Sequence, residues 1–314
     1  LIEVPSEDGS ARIFKDDVFF CEVHFPQKAK FTDLSTADGV PYGHIAQLHS
    51  KDVLATTVMQ NCIRYQSKKN TCKFCAIGQS LAAGRTIARK SPQQLAEVAR
   101  AAYLLDGVKH MVMTTGTPSS EDRGARILSD CAKSIRAAVD LPLQAQCEPP
   151  SDDLWHVRMK ESGIDSLGMH LEVVNPILRK EIMPGKSEVS LDRYFESFSV
   201  AVEVFGWGQV STYILAGLGD TVEEILETCE KLTSMGVYPF VVPFVPVSGT
   251  SLESHPPPSP DFMKAVLEPL AEMILCSGMS SDMIKAGCGK CGACSALSAF
   301  ERIKILSKQK SMAC

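Results

Sequence analysis

The sequence lacks the features that mark a membrane protein or a nucleic-acid-binding protein. No apolar run among its 314 residues approaches the roughly 20 that a membrane-spanning helix needs. A basic excess is also missing: the formal net charge is -5, which argues against general electrostatic attraction to nucleic acid or to an anionic membrane. The first residues, LIEVPSEDGSARIF, lack the charged and apolar order of a signal peptide. We therefore expect a cytoplasmic protein with no nucleic-acid or membrane partner.

Internal repeats and low-complexity segments are absent too, and a composition of 45% hydrophobic and 22% charged residues is typical of a globular protein. The unusual component is cysteine, with twelve in the chain. A reducing cytosol keeps cysteines as thiols, so metal binding explains this number better than disulfides do. Half of the cysteines have ligand spacing. They form a first triplet of Cys62, Cys72 and Cys75 and a tail triplet of Cys288, Cys291 and Cys294.

From residue 53 onward, short apolar runs alternate with segments of helical periodicity. The runs occupy residues 53–63, 109–116, 141–148, 165–173, 209–219 and 237–247. The helical segments begin SPQQLAEV, EDRGARIL, SDDLWHV, SLDRYFE, TVEEILE and SPDFMKAV. Continuous apolar strands separated by helices indicate a parallel sheet covered on its outer side. The pattern predicts an α/β fold, a partial or complete (β/α) TIM-type barrel of about six βα units.

We predict three parts along the chain: an N-terminal extension of residues 1–52 with one or two short strands, a barrel of residues 53–278, and a C-terminal cluster-binding tail of residues 279–314. Catalytic groups of such barrels lie at the carboxyl ends of the strands and in the loops that follow. In this sequence those points carry Cys62 and the segments TTGTPSSED, CEPP, HLE, GLGD and PVSGTSLE. The active site is therefore predicted at this rim.

The first triplet follows the first barrel strand with the spacing C-x9-C-x2-C. A structural zinc site normally has four protein ligands, and residues 62–80 contain no fourth cysteine or histidine. Three thiolates can instead hold three irons of a [4Fe-4S] cluster and leave the fourth iron open to a substrate or cofactor. A zinc site or three buried thiols are the alternatives.

These residues resemble the radical S-adenosylmethionine (SAM) enzymes, whose usual signature is C-x3-C-x2-C with an aromatic residue before the last cysteine. The run CKFC at 72–75 matches the second half, whereas nine residues rather than three separate Cys62 from Cys72. The segments CKFCAIGQSLAAGRTIARK, GVKHMVMTTGTP, QCEPP and VYPFVVPFVPVSGT resemble the radical SAM family found in bacterial nitrilase-containing gene neighbourhoods. More distantly, YILAGLGDTVEE and PFVPVSGTSLE resemble biotin synthase. The resemblance covers residues 30–301.

The resemblance implies a function. An electron donor such as flavodoxin or ferredoxin would reduce the cluster, and SAM would be cleaved to a 5'-deoxyadenosyl radical. This radical would abstract hydrogen from a small-molecule or carrier-bound acyl substrate. Phe74 would lie beside the adenine, and Glu172 would accept hydrogen bonds from the ribose hydroxyls. The implied SAM-binding residues also include Thr114, Thr115, Gly116, Thr117, Gly217 and Gly219.

Several of these residues also have a structural interpretation. Glu172 could form a strand-end ion pair with Arg179 or Lys180, and the two glycines could serve core packing. Arg64 and Arg85 flank the cluster loop and could hold the carboxylate of SAM or of an acidic substrate, or be solvated.

Two further residues at strand ends are candidate catalytic groups. His170 ends the fourth barrel strand and could contact substrate or act as an acid or base. Cys147 ends the third and could donate a hydrogen atom or ligate a cluster. A hydrogen-bonded histidine and a buried small thiol are the structural alternatives. The other histidines, His49 among them, lack ligand spacing and are given no role.

The tail triplet has the spacing C-x2-C-x2-C with glycines between the cysteines. This spacing favours an auxiliary [4Fe-4S] cluster, because glycines permit the backbone turns that wrap a cluster; a zinc knuckle is the alternative. The fourth ligand is open among Cys276, Ser295, Ser298, Cys314 and the substrate. By the biotin synthase resemblance, Ser211 replaces a cluster cysteine of that enzyme.

We expect the tail to fold over the carboxyl rim, so that the two triplets face each other across the substrate cavity. The auxiliary cluster could then supply sulfur for insertion. A radical rearrangement or ligation without sulfur insertion is the alternative reaction. A non-catalytic iron–sulfur or zinc protein is the alternative from another class.

Overall fold

A curled sheet forms the centre of the molecule. The computed structural model describes residues 2, 3, 6, 9–25 and 28–312. Within these residues the strands are β1 (Ser10–Lys15), β2 (Val18–His24), β3 (Gln47–His49), β4 (Val53–Thr57), β5 (His110–Thr114), β6 (Leu143–Gln146), β7 (Ser166–Gly168), β8 (Val210–Ala216) and β9 (Val237–Pro243). Strands β3 to β9 pair in sequence order, β3 antiparallel to β4 and each later neighbour parallel.

Helices connect the parallel strands, most of them covering the outer face of the sheet, and two helices of the tail follow the last connection. In the same part of the chain they are α1 (Ile77–Ala82), α2 (Pro92–Asp106), α3 (Ala125–Ala138), α4 (Leu154–Glu161), α5 (Pro176–Ile182), α6 (Leu191–Phe205), α7 (Val222–Ser234), α8 (Pro260–Cys276), α9 (Cys288–Cys291) and α10 (Leu297–Met312). No described helix is both long and apolar enough to cross a bilayer.

The predicted barrel is confirmed, in its partial form. Each of the six apolar runs contains one strand, from β4 to β9, and β3 and β9 are the two edges of the sheet. The ends of α2 follow from local sequence signals. The Ser91 hydroxyl accepts a hydrogen bond from the Gln94 N–H, and the Ser91 N–H donates the reciprocal bond of a capping box to the Gln94 side chain. Gly107 ends the helix with a left-handed backbone, φ 64.

The apolar core lies between the sheet and its outer helices. Leu95 of α2 and Leu128 of α3 are fully buried, as are Met111 and Met113 of β5. His110 and Val112, which alternate with these methionines along the strand, are also buried, so both faces of β5 are covered, as expected for a parallel strand. A leucine-to-alanine change at such a position costs about 2 to 5 kcal/mol, so this layer holds the strand ends firmly in place.

The first residues form the short strands that the sequence predicts. Strands β1 and β2 pair as an antiparallel hairpin. Strand β3 also lies before residue 53, yet it pairs with β4 in the main sheet, with His49 opposite Val53. The segment before the first barrel strand thus contributes one edge of the barrel.

The tail approaches the barrel from the end opposite to the one we expected. Helix α8 packs on α7 and β9 and ends near Trp207, whose ring N–H donates to the Ser277 carbonyl at 3.0 Å. Gln209, just before β8, then binds the backbone of Met283 and Lys285, each at 3.0 Å. The prediction that the tail covers the carboxyl rim is therefore wrong. A helix that follows a parallel strand runs back along it, so the chain leaves α8 at the amino ends of the strands.

Candidate active site

The first triplet lines a cavity of about 190 Å³ at the carboxyl ends of the strands. All three cysteines reach this cavity although nine residues separate Cys62 from Cys72. The other lining residues are Arg64, Phe74, Ile77, residues 114–117, Gln146, Cys147, Glu148, His170, Glu172 and Lys186. Burial raises the pKa of Cys75 to about 11, so this thiol must lose its proton when it binds a metal.

The loop between Cys62 and Cys72 bulges outward. A short 3-10 helix, Ile63–Gln66, follows Cys62, and residues 66–70 are exposed. The exception is Arg64, which points inward and is 9% exposed. Its guanidinium fixes the base of the loop beside the cysteines.

Glu148 is the buried partner of this arginine. Arg64 donates from Nε and Nη2 to the two carboxylate oxygens at 2.9 and 3.0 Å. The Thr117 hydroxyl and the Arg123 guanidinium also donate to Glu148, at 2.8 and 3.0 Å. Burial alone would raise the pKa of Glu148, but the hydrogen bond from Arg64 and the charges of Arg64 and Lys186 hold it below its ordinary value. Arg64, expected to bind SAM or substrate, is thus engaged by an internal carboxylate.

Glu172 follows β7 with a left-handed backbone, φ 64, and its N–H donates to the Tyr213 carbonyl at 2.7 Å. The carboxylate accepts a hydrogen bond from the Lys186 ammonium, also at 2.7 Å. Burial works against the charge of Lys186, but Glu172 and other acidic neighbours hold its pKa above the ordinary value. The ion pair considered for Glu172 therefore exists, with Lys186 rather than Arg179 or Lys180 as the partner, and it faces the cavity.

Residues 114–117 form the turn after β5 that the resemblance assigns to SAM. The Thr114 carbonyl accepts from the Val58 N–H, and the Thr117 carbonyl from the Ile63 N–H, both at 2.8 Å. A carbonyl has two lone pairs, so each can accept a second bond from a ligand. A Cβ on Gly116 would lie 2.2 Å from the backbone oxygen of Asn61, so only glycine fits there.

The two catalytic candidates both line this cavity. Nδ1 of His170 accepts a hydrogen bond from the Tyr213 N–H at 3.2 Å. Burial, with the nearby charge of Lys186, lowers the pKa of His170 to about 3, so the ring is neutral and carries its proton on Nε2. Burial raises the pKa of Cys147 to about 12, so it is a thiol at neutral pH. A neutral imidazole and a thiol can both offer hydrogen to a ligand in the cavity.

Of the remaining residues predicted to bind SAM, only Phe74 lines the cavity of the first triplet. Phe74 also packs on a small apolar cluster that contains Leu218. Gly217 and Gly219 follow β8 and pack against Pro258 and Leu178, outside the lining of the cysteine cavities. Arg85 lines a separate cavity of about 390 Å³ beside β3.

The tail triplet lines a second cysteine cavity, of about 430 Å³, inside the barrel. Val53, at the start of β4, is part of its wall, so this cavity extends to the amino half of the strands. Residues lining both cysteine cavities are Phe74, Thr114, Gln146, His170 and Glu172. The triplets therefore face each other along the barrel axis, one from each end.

The tail enters the barrel beneath two glutamines of β6. Gln146 donates to the Cys288 sulfur at 3.2 Å, and the Cys288 N–H donates to Gln144 at 3.3 Å. A Cβ on Gly287 would lie 2.1 Å from the Gln144 side chain, so glycine is required for this approach. Burial raises the pKa of Cys288 to about 12, so metal binding would again release a proton.

The donor sets suit iron–sulfur clusters, which are held by cysteine thiolates. Among the described residues, no three His, Cys, Asp or Glu side chains lie close enough to hold one metal ion together. A cubane cluster distributes its ligands over different irons, so its cysteines need only surround a common space. Both triplets meet that condition.

Sequence reasoning missed several polar residues of these cavities. Glu148 lies within the segment CEPP but was given no role, and Lys186 begins a short 3-10 helix after α5 and belongs to no motif. Tyr213 reaches Cys294 with its hydroxyl. His49 lies 3.9 Å from the Cys294 sulfur. Only the position of Glu148 at a strand end was a usable signal, since the other contacts join distant segments.

Sequence comparisons relate this chain to known proteins. The radical SAM superfamily model matches residues 68–232. The bacteriochlorophyllide c C-7(1)-hydroxylase of Chlorobaculum limnaeum is 34% identical over 138 residues, 43% of this chain and 34% of that protein. The lipoyl synthase of Symbiobacterium thermophilum is 24% identical over 169 residues, 53% of this chain and 50% of that protein. The chain thus spans half or less of the length of these relatives.

Solved structures show the same fold at low sequence identity. Methylornithine synthase (PylB) superposes with a TM-score of 0.55 and 17% identity, over 74% of this chain and 64% of that one. HydG, a maturase of the [FeFe]-hydrogenase, gives a TM-score of 0.56 and 15% identity, over 76% and 52%. The superfamily match covers more than half of the sequence, and the chain therefore belongs to the radical SAM superfamily.

Proposed function

We propose that this chain is a radical SAM enzyme that cleaves SAM at the first triplet and abstracts hydrogen from a substrate bound between the two triplets. Superfamily membership implies a [4Fe-4S] cluster and SAM as cofactors, a reductant and a substrate. One observation carries the proposal: the triplets line two cavities that share five wall residues. The superfamily match begins at residue 68, so the proposed role of Cys62 as a cluster ligand rests on this geometry.

The cluster and SAM supply a 5'-deoxyadenosyl radical when bound, and the chain supplies position and charge. Glu172 offers acceptor oxygens to the ribose hydroxyls, and the hydrogen bond from Lys186 orients its carboxylate. Residues 114–117 offer carbonyls to the amino group. His170 offers its Nε2 proton, and Cys147 is a candidate hydrogen-atom donor. We propose that Gly217 and Gly219 act only indirectly on SAM binding, by shaping the loop after β8.

The cavity between the triplets favours a small substrate with a mainly apolar body. Its wall combines Val53, Ala55, Val112 and Leu215 with a few polar groups. It shares Ala55, Val112 and Thr114 with the neighbouring cavity that contains Arg85. We therefore assign Arg85 to an acidic group of the substrate rather than to SAM. A small molecule or an acyl chain on a carrier would meet these conditions.

We propose that the tail triplet holds an auxiliary [4Fe-4S] cluster, because three cysteines face the substrate cavity there. Sulfur insertion is the favoured use, since the chain has distant similarity to lipoyl synthases. Hydrogen abstraction without sulfur transfer is the second candidate, favoured by the similarity to a hydroxylase.

Three more specific proposals, on the family within the superfamily, the electron donor and the cellular location, rest on the sequence alone. The motifs from CKFCAIGQS to PFVPVSGT support a place in the radical SAM family of nitrilase-containing gene neighbourhoods. Flavodoxin or ferredoxin is the proposed electron donor. A cytoplasmic location, where thiols remain reduced, stays a prediction.

A cysteine substitution tests the first site. We expect Cys62→Ala, reconstituted anaerobically with iron and sulfide, to lose the cluster of the first triplet, about four irons, and to form 5'-deoxyadenosine only at background level from SAM and dithionite. Cys21→Ala is the control, since Cys21 lies on the β1-β2 hairpin. Undiminished SAM cleavage by Cys62→Ala would contradict the proposal.

A further inference from the structure

We propose that His49 is the fourth protein ligand of the cluster held by the tail triplet. This inference rests on the proposed function, because it requires a cluster at the tail triplet. It goes beyond that function because it names a ligand from β3, an edge strand of the sheet that is far from the tail in sequence. The sheet edge and the tail would then be joined through one metal centre.

The position of His49 carries the inference. His49 lines the same cavity as Cys288, Cys291 and Cys294. Its Nε2 lies 3.9 Å from the Cys294 sulfur, and its ring is also within hydrogen-bonding reach of Cys291. Three thiols and one imidazole, from segments more than 200 residues apart in the chain, thus surround a common space.

The backbone fixes His49 there. It is the last residue of β3 and pairs with Val53, which lines the same cavity. The next residue, Ser50, has φ 55 and begins the tight turn into β4. A strand end before a tight turn has little freedom, so the direction of the histidine is set by the sheet.

The ligands suggested by the sequence are placed less well. The Ser295 hydroxyl donates to the Val241 carbonyl at 2.6 Å and accepts from the Leu297 N–H at 3.2 Å. Of the described residues, neither Ser298 nor Cys276 is part of the cavity wall; Cys276 is exposed at the end of α8. Cys314 lies outside the described residues.

Imidazole is a known ligand of iron–sulfur clusters, and replacing thiolate by histidine raises the reduction potential. The sulfurs of Cys291 and Cys294 favour a proton on Nε2 of His49, so His49 would release that proton to solvent and form one bond, from the freed Nε2 lone pair to an iron, and water would leave that iron. No electron moves and the other ring proton stays on Nδ1. A neutral ligand also leaves the cluster with one negative charge less than a fourth thiolate would.

The test uses a full-length variant in which Cys62, Cys72 and Cys75 are alanine, so that iron binds only at the tail triplet. After anaerobic reconstitution with iron and sulfide, the reduced cluster is studied by pulsed electron paramagnetic resonance. We expect the strong nitrogen coupling of a directly bound imidazole, and its replacement by a 15N pattern when histidine is labelled with 15N. Labelling leaves the residue itself unchanged, so misfolding cannot explain the result.

Substitutions then identify the histidine. We expect His49→Ala to lose the coupling, and His49→Cys to lose it while keeping the iron and lowering the midpoint potential. His24→Gln, on the exposed part of the hairpin, is the matched control and should keep the coupling. Iron at the tail without nitrogen coupling, or coupling that persists in His49→Ala, would overturn this inference alone. A tail that binds no iron would overturn both the inference and the proposed auxiliary cluster.

Discussion

Glu172 is the residue at which a structural role and a binding role overlap. Its carboxylate is paired with Lys186 and also lines both cysteine cavities. We expect Glu172→Gln to weaken SAM binding by about 1.5 to 3 kcal/mol, at least about tenfold in affinity, because one acceptor oxygen becomes a donor. The same change leaves the Lys186 charge without its partner and should lower the free energy of unfolding.

Equilibrium binding of SAM, iron content and the urea midpoint separate the two roles of Glu172. Iron content should stay at the wild-type value. Glu181→Gln is the control, because that glutamate forms an exposed ion pair with Lys73. This variant should change neither the SAM affinity nor the urea midpoint appreciably. A lowered urea midpoint with unchanged SAM affinity would reduce Glu172 to the ion-pair partner of Lys186.

Individual site residues were predictable from sequence where a motif or a strand end marks them. Cys72, Phe74 and Cys75 follow from one short motif, and Glu172 follows from the end of a strand. Lys186 and His49 were missed because their importance comes from pairing with groups far away in the chain. Arg64 was noticed as a flanking charge, but its partner Glu148 was not, since a buried ion pair leaves no local pattern.

The loop between Cys62 and Cys72 is an element whose shape depends on one buried contact. Arg64 anchors it through Glu148 and through hydrogen bonds to the Gly185 carbonyl and Glu188. We expect Arg64→Ala to destabilise the fold by about 3 to 5 kcal/mol, because it removes one partner of a buried ion pair. Released from Glu148, the loop should also hold Cys62 less firmly, so iron loading at the first triplet should fall.

Urea unfolding and iron content after reconstitution measure the two effects of the loop anchor. Lys69→Ala is the matched control in the same loop, where the side chain is exposed. If Arg64→Ala matched Lys69→Ala in both measurements, the loop would not depend on its buried arginine.

Elements were predicted well wherever their signals are local. Apolar runs located β4 to β9, and Ser91 and Gly107 marked both ends of α2, because caps act within a few residues. Strand β3 was placed in the extension, because three residues carry little pattern and its pairing with β4 is a tertiary contact. The tail was assigned to the wrong end although the predicted order of elements implied the answer, because a helix that follows the parallel strand β9 runs back toward the amino ends of the strands.

At the scale of the whole molecule, the tail closes the amino end of the barrel. The tail cysteines are not needed for this closure. Glu301 of α10 is buried and accepts hydrogen bonds from the Tyr238 hydroxyl at 2.5 Å and from the Ser281 N–H at 2.9 Å. These bonds hold the tail without any contribution from the triplet. A variant with Cys288, Cys291 and Cys294 changed to alanine should therefore keep its fold.

That tail variant gives the last prediction. We expect it to bind about four irons rather than about eight, to form 5'-deoxyadenosine from SAM slowly, and to convert no substrate in a small-molecule cell extract, because the first triplet is intact while the cavity floor is changed. If the tail cluster donates sulfur, wild-type protein reconstituted with 34S-sulfide should transfer the label to product and stop near one turnover. Continued turnover without label would favour the reaction without sulfur insertion. Full product yield from the tail variant would show that the closed end of the barrel is structural only.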